Sequence, residues 1–183
     1  MISMILAIGP DELIGIKDKL PWHSKKDFEH FKEYTLNKTV LFGDRTFFGL
    51  PKYPLPKRDN FVVSFNINHT KIYNMDNKKY WMFPSIEEAI TEFNKQKNKE
   101  LVICGGKGVY SYCLQNNLID KVVLTEVNSS ALKILADTHS SDNVYMTGLK
   151  NILTTNFKLE ESTVQTEMDL NELKLIFTTW LKY

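Results

Sequence analysis

The chain opens on MISMILAIG, a run of Ile, Leu and Met without polar alternation, which predicts a first strand buried on both faces, as in a parallel sheet. Similar apolar runs at 39–42, 61–65, 101–104 and 122–127 predict further buried strands, and shorter ones at 72–73 and 80–83 predict edge strands around a polar turn at 74–79. Between them the period changes. Helical spacing begins at Ser24, at Asp44, at Ser85 and at Lys107, with Ile86, Ala89, Ile90 and Phe93 sharing one side of a helix reaching about Lys97. Residues 13–20 read as a flexible loop around Gly15, and 128–151 as a long polar, irregular connection. The tail at 157–165 and 173–181 reads as two strands joined across 166–172, too close for a crossover helix and so a hairpin. The expected fold is α/β: one three-layer domain over 1–183 with a central, mainly parallel twisted sheet, an antiparallel C-terminal edge strand and helices on both faces.

Composition narrows the class. A chain of 183 residues fits one domain, and 43% hydrophobic residues supply a substantial core. A net charge of +1 offers neither the basic coat of a nucleic-acid binder nor a membrane-surface patch, so the expected partner is a small molecule. The opening apolar run is too short to cross a bilayer and lacks a basic lead, which argues against a signal peptide. Cys104 and Cys113 fit no disulfide framework or metal spacing; as reduced packing residues they suit the cytoplasm, and no metal is expected.

Four places carry candidate chemistry. Ser24 is a good N-cap, and Asp27 at the third helical position shares a face with Ser24, Phe31 and Tyr34. An acid among rings is either half of a weak capping box or a single carboxylate set to hydrogen-bond the polar edge of a flat ligand. Gly43, between a strand and the helix opening at Asp44-Arg45-Thr46, is either a plain turn or a place where backbone N–H groups meet an anion. The segment PKYPLPKR, with three prolines, is a rigid surface loop ending at Arg58, a cation that is either solvated or held ready for a carboxylate. Gly105-Gly106 between strand and helix either closes a tight turn or lets a ligand approach the backbone, and GGKG matches neither a dinucleotide fingerprint nor a Walker loop.

Taken together, MISMILA, Ile14-Gly15, Pro21-Trp22, Asp27 with Phe31-Lys32, TLNK at 35–38, Gly43 with Arg45-Thr46, Leu55-Pro56 with Arg58, Gly105-Gly106 with Val109-Tyr110, Leu124-Thr125 and Asp137-Thr138 resemble the dihydrofolate reductase family over nearly the whole chain. The resemblance implies hydride transfer from NADPH, with NADH left open, to the pterin of dihydrofolate, in support of one-carbon metabolism. It implies that Asp27 holds the 2-amino group and adjacent ring nitrogen and promotes protonation at N5, with Thr125 in its hydrogen-bond network and Trp22 fixing water nearby. Ile5 and Ala7 become the floor; Phe28, Phe31 and Leu50 clamp the pterin and benzoyl rings; Arg58 takes the glutamate α-carboxylate. Cofactor contacts fall to Ala7, Ile14, Gly15, Leu20, Gly43, Asp44, Arg45, Thr46, Ser64, Phe65, Cys104, Gly105, Gly106, Lys107, Gly108, Val109 and Tyr110. Leu20 belongs to a loop that closes over the nicotinamide, and the glycine pair matches one joined by a cis peptide.

The chain departs from the family pattern at Asp44 and Phe65, where NADPH users usually carry an arginine and a hydroxyl residue for the 2′-phosphate. An acid repels a phosphate but accepts a hydrogen bond from a ribose hydroxyl, so a weakened NADPH preference is expected, with Arg45 and Lys107 as compensating charge. Two other readings stand beside this one: the related pyrimidine reductase of riboflavin synthesis, and a non-catalytic pterin- or nucleotide-binding structural protein. Pro21-Trp22, Asp27 and Arg58 weigh against the first, and an intact Asp27, Trp22 and Thr125 against the second. A monomer or weak homodimer, binding dihydrofolate and folate analogues but no nucleic acid or membrane, completes the expectation.

Overall fold

The computed structural model describes residues 1–17, 19–75, 78–96, 100–167 and 173–183. In chain order its elements are β1 (Ile2–Ile8), β2 (Leu13–Ile16), α1 (Lys25–Thr35), β3 (Thr39–Gly43), α2 (Asp44–Phe48), β4 (Asp59–Val63), β5 (Lys71–Met75), β6 (Lys78–Phe83) and α3 (Ile86–Asn94). They continue with β7 (Leu101–Ile103), α4 (Lys107–Gln115), β8 (Lys121–Asn128), α5 (Ser130–Thr138), β9 (Asn143–Tyr145), α6 (Leu149–Asn156), β10 (Phe157–Glu167) and β11 (Leu173–Lys182). The chain divides into two compact units, one of Met1–Ser3 with Glu33–Leu118, the other of Met4–Lys32 with Ile119–Tyr183.

The first unit holds the parallel part of the sheet in the order β7, β3, β4, β6, β5. Parallel pairing runs from Val40 opposite Val102 to Phe61 opposite Trp81, and β5 closes the edge antiparallel to β6. Strands β3, β4 and β7 are buried on both faces, as their unbroken apolar runs predict. Phe61 lies at the centre, its ring 4.8 Å from Phe83 and 5.4 Å from Trp81. Ser85 caps α3 by accepting from the Glu88 N–H at 3.2 Å, while Ile86, Ala89 and Phe93 are buried at helical spacing.

The second unit orders its strands β10, β11, β8, β1, with β11 antiparallel to both neighbours. The terminal hairpin is as expected. β11 buries Leu173, Leu175 and Thr178, whereas β10 is exposed over nearly its whole length, and the charges of Lys158, Glu160 and Glu161 on that strand discourage edge-to-edge pairing. β1 is a buried run, as its composition predicts.

Four expectations need correction. Residues 128–151 are not an irregular loop: Ser129 caps α5 by accepting from the Ala131 N–H, Leu132 and Ala136 are buried one turn apart, and β9 follows. The flexible segment around Gly15 contains β2, which pairs antiparallel with β9, placing Gly15 opposite Val144. Each partner is short, β2 being interrupted by Gly15 and β9 only three residues long, and their pairing makes each a strand. Third, β6 is an interior strand between β4 and β5, so its Tyr80, Met82 and Phe83 are buried. β4 also ends at Val63, two residues before the expected limit at Phe65. Asp18 in the loop before Leu20, part of the turn at 74–79, the helix end at Lys97 and the hairpin turn at 168–172 lie outside the described residues.

Truncating Phe61 to Ala leaves a cavity between Trp81 and Phe83 and should cost about 3–5 kcal/mol in denaturant unfolding. Ser85→Ala, which loses one cap, should cost only about 1 kcal/mol. A smaller loss at Phe61 than at Ser85 would contradict the placement of the core.

Candidate active site

The second unit places an acid where water is scarce. Ser24 ends the extended entry to α1 and accepts from the Asp27 N–H through Oγ at 3.1 Å and from the Phe28 N–H through its carbonyl at 3.1 Å. That starts the helix and turns Asp27 inward, half-buried. Trp22 is buried against Val127, Leu132, Leu173 and Leu175, with Ala7 and Phe177 packed on the same cluster. Thr125, fully buried on β8, stands opposite Phe177 of β11, and the His30 ring lies 4.6 Å from the Phe177 ring.

These neighbours set the charge state of Asp27. Loss of hydration raises its pKa above the usual 3.8; the Thr125 hydroxyl, the Trp22 indole and His30 pull the other way, and Glu167 adds to the rise. Among the described residues the buried Trp22 Nε1–H has no direct hydrogen-bond partner, so its pull on Asp27 is that of a nearby dipole and weaker than a formed bond. The same unit buries Ile5 and Gly15 and half-buries Ala7, Ile14 and Phe31, while Leu20 and Phe28 are exposed, Phe28 with its ring 5.6 Å from His23.

The first unit brings together the glycine loops. The Gly43 N–H donates to the Gly105 carbonyl at 2.7 Å, and the Gly105-Gly106 peptide is cis. A Cβ on Gly106 would lie 2.7 Å from Thr46 Oγ1, so any side chain there would force Thr46 to shift, and Gly105, at φ 110°, has Tyr110 against it. α4 opens at Gly106, which has no side chain to cap the first N–H groups, and a Cβ on Gly108 would meet nothing within 4 Å among the described residues. Val109 and Tyr110 are buried, and Lys107 and Arg45 are exposed. Cys104 is buried and donates weakly to the Val102 carbonyl; burial pushes its thiol pKa far up, as expected of an unreactive packing residue.

Asp44 is already engaged. Its carboxylate accepts from the Arg45 N–H at 2.7 Å and from the Ser64 hydroxyl at 2.5 Å, so Ser64 points inward while Phe65 is 80% exposed. In the same unit Arg58 donates through Nε and Nη2 to Thr35 Oγ1, both at 3.0 Å, and through Nη1 to the Pro56 carbonyl at 2.7 Å. Leu50 is half-buried.

Three residues were missed from sequence. Asn60 pins the proline loop, accepting from the Leu55 N–H and donating to the Leu55 and Arg58 carbonyls. Thr35 aims Arg58, and its place in TLNK was the available signal. Glu167 meets Ser24 and the Lys25 N–H, and no local pattern announces a partner so distant in sequence.

By fold the chain is an α/β protein on a mainly parallel sheet with an antiparallel C-terminal edge, and by site it carries a half-buried carboxylate in one unit and glycine-lined strand-to-helix turns in the other. A family model described as dihydrofolate reductase matches residues 1–181. Dihydrofolate reductase of Buchnera aphidicola subsp. Acyrthosiphon pisum is 36% identical over 128 residues, 69% of this chain and 72% of that protein. Dihydrofolate reductase type 9 of Escherichia coli is 32% identical over 182 residues, covering 98% and 92%. The chain spans only 29% of the bifunctional dihydrofolate reductase-thymidylate synthase of Paramecium tetraurelia, to which it is 30% identical over 145 residues. In fold it matches the solved dihydrofolate reductase from Enterococcus faecalis complexed with NADP(H) and RAB-propyl, at TM-score 0.75 and 23% identity, over 100% of this chain and 96% of that one. The chain belongs to the dihydrofolate reductase family.

The raised pKa of Asp27 has a consequence for stability. Below 3.8 the carboxyl is protonated in both folded and unfolded chains; as pH rises through the raised folded value, the folded state takes on the cost of a dehydrated charge and loses stability. Asp27→Asn should therefore unfold at higher denaturant than the parent at neutral pH, with the difference shrinking as pH falls through the raised folded value toward 3.8. A difference independent of pH would remove the desolvated charge from the account.

Proposed function

We propose that the chain reduces 7,8-dihydrofolate to 5,6,7,8-tetrahydrofolate with NADPH. The observation that carries this reading is Asp27, a half-buried acid of raised pKa beside Thr125 and Trp22, in a chain of this family. A carboxyl group so placed accepts hydrogen bonds from the 2-amino group and ring N–H of a pterin and responds to its protonation, which an exposed acid does weakly. Thr125 fixes the orientation of the carboxyl, and the buried Trp22 Nε1–H offers a donor to a water or ligand atom. Ile5, Ala7, Phe28 and Phe31 present apolar surface to the flat rings. Arg58, aimed by Thr35 and the Pro56 carbonyl, takes the glutamate carboxylate with its ordering cost already met by the fold.

The residues of the first unit suit a dinucleotide. Uncapped N–H groups at the start of α4 and the side-chain-free backbone of Gly105 and Gly106 accept a pyrophosphate, with Gly43, Thr46, Lys107, Val109 and Tyr110 around them. When bound, NADPH supplies the hydride. Ala7, Ile14, Gly15 and Leu20 hold the nicotinamide side and keep water out. The protein acts as a monomer or weak homodimer in the cytoplasm; among the described residues no helix is long and apolar enough to cross a membrane.

Asp27→Asn should lower turnover of dihydrofolate by about 100-fold or more at alkaline pH and by less as pH falls, since an amide cannot promote protonation of the pterin. Loss of nicotinamide absorbance across a pH series measures this, and parent-like rates throughout would exclude the mechanism. The Asp44 carboxylate accepts from the Ser64 hydroxyl and the Arg45 N–H, both uncharged donors. Asp44→Arg should therefore raise the NADPH-to-NADH ratio of kcat/KM by about tenfold, equivalent to about 1.4 kcal/mol. An unchanged ratio would place Asp44 away from the 2′ position.

A further inference from the structure

One carboxylate next to α1 plays no part in the reaction described above. Glu167, at the end of β10, reaches the first turn of α1: Oε2 accepts from the Ser24 hydroxyl, and Oε1 accepts from the Lys25 N–H at 3.0 Å. Beside it the Thr166 carbonyl accepts from Lys26 Nζ at 2.8 Å. With its proton committed to Glu167, Ser24 Oγ has its lone pairs left for the Asp27 N–H. An anion over a helix N-terminus satisfies open N–H groups and complements the dipole. The same placement sets a second negative charge one hydroxyl away from the residue that receives the pterin.

We propose that Glu167 is a positioning residue for Asp27, clamping the first turn of α1 through Ser24 and the Lys25 N–H and setting its negative charge beside the acid. The inference rests on the reading of Asp27 as the pterin-binding acid. The groups around Asp27 account for both signs of influence. From α1 itself His30 favours the carboxylate, Lys25 is paired with Glu29 at 3.8 Å, and Lys26 is turned to Thr166; from β8 comes the neutral Thr125, and from the preceding loop the neutral Trp22. From β10 comes Glu167, which acts in the same direction as burial. A purely structural cap needs only an acceptor oxygen, which a glutamine supplies. A charge effect does not survive that exchange.

The test is a carboxyl-carbon NMR titration of the full chain without ligand, in the parent, Glu167→Gln, Glu167→Ala, Glu167→Asp and Asp27→Asn, alongside pH profiles of kcat/KM for dihydrofolate. In Glu167→Gln the Asp27 midpoint should fall by a few tenths of a pH unit, and the corresponding limb of the rate profile should move by the same amount. Glu167→Asp, which restores the charge, should return both most of the way. Asp27→Asn identifies the Asp27 signal, and Glu167→Ala, which removes the same charge, should lower the Asp27 midpoint likewise and decides the matter if Glu167→Gln does not fold. An Asp27 midpoint unmoved in a folded Glu167→Gln or Glu167→Ala reduces Glu167 to a cap and overturns the inference. Midpoints that move in a protein that does not consume dihydrofolate would uphold the coupling and refute the reaction instead.

Discussion

Taking a carboxyl group away from water without giving it a full set of donors is the constraint on which the second unit depends. Asp27 loses hydration, and what replaces it is a buried threonine hydroxyl and an indole N–H that makes no formed bond among the described residues. A carboxylate with two or three backbone donors would sit well below its usual pKa and stay ionised. Here the balance goes the other way, and that suits a group meant to manage a proton on a ligand. The surrounding structure is arranged to keep the balance: Ser24 fixes the helix start, Trp22 packs in a cluster with Val127, Leu132, Leu173 and Leu175, and the β8–β11 pairing holds Thr125 opposite Phe177.

Rigidity elsewhere follows the same logic of settling geometry before a ligand arrives. In the first unit Arg58 is fixed at three of its nitrogens, and the loop that carries it is tied down by one asparagine that bonds backbone groups on either side. Ordering a free arginine is costly, and a fold that orders it in advance converts more of the contact into affinity. The glycine turns achieve a similar end without side chains. Gly106 admits no Cβ unless Thr46 shifts, and the helix that follows leaves its leading N–H groups uncapped.

Strands with both faces buried write themselves as unbroken apolar runs, so β1, β3, β4, β7 and β8 were legible, as were the capped helices at Ser24 and Ser85 and the terminal hairpin. Family motifs added the roles of Asp27, Arg58 and the glycine pair. The segments 13–16 and 143–145 were not legible, because strands of four and three residues, one of them broken by a glycine, are defined by their partner, and each is the other's. Helix α5 was missed because its polar, serine-rich flank concealed a modest apolar face of Leu132 and Ala136.

Sequence alone therefore determined the α/β class, the positions of the buried strands, and an acid on an apolar helix face, since each depends on residues close together in the chain. Tertiary structure alone decided which way the Asp27 balance falls, that Asp44 is bound to Ser64, and that Glu167 meets Ser24 across 143 positions of sequence. Desolvation and long-range hydrogen bonds are properties of what surrounds a group in space, and local spacing carries no record of them.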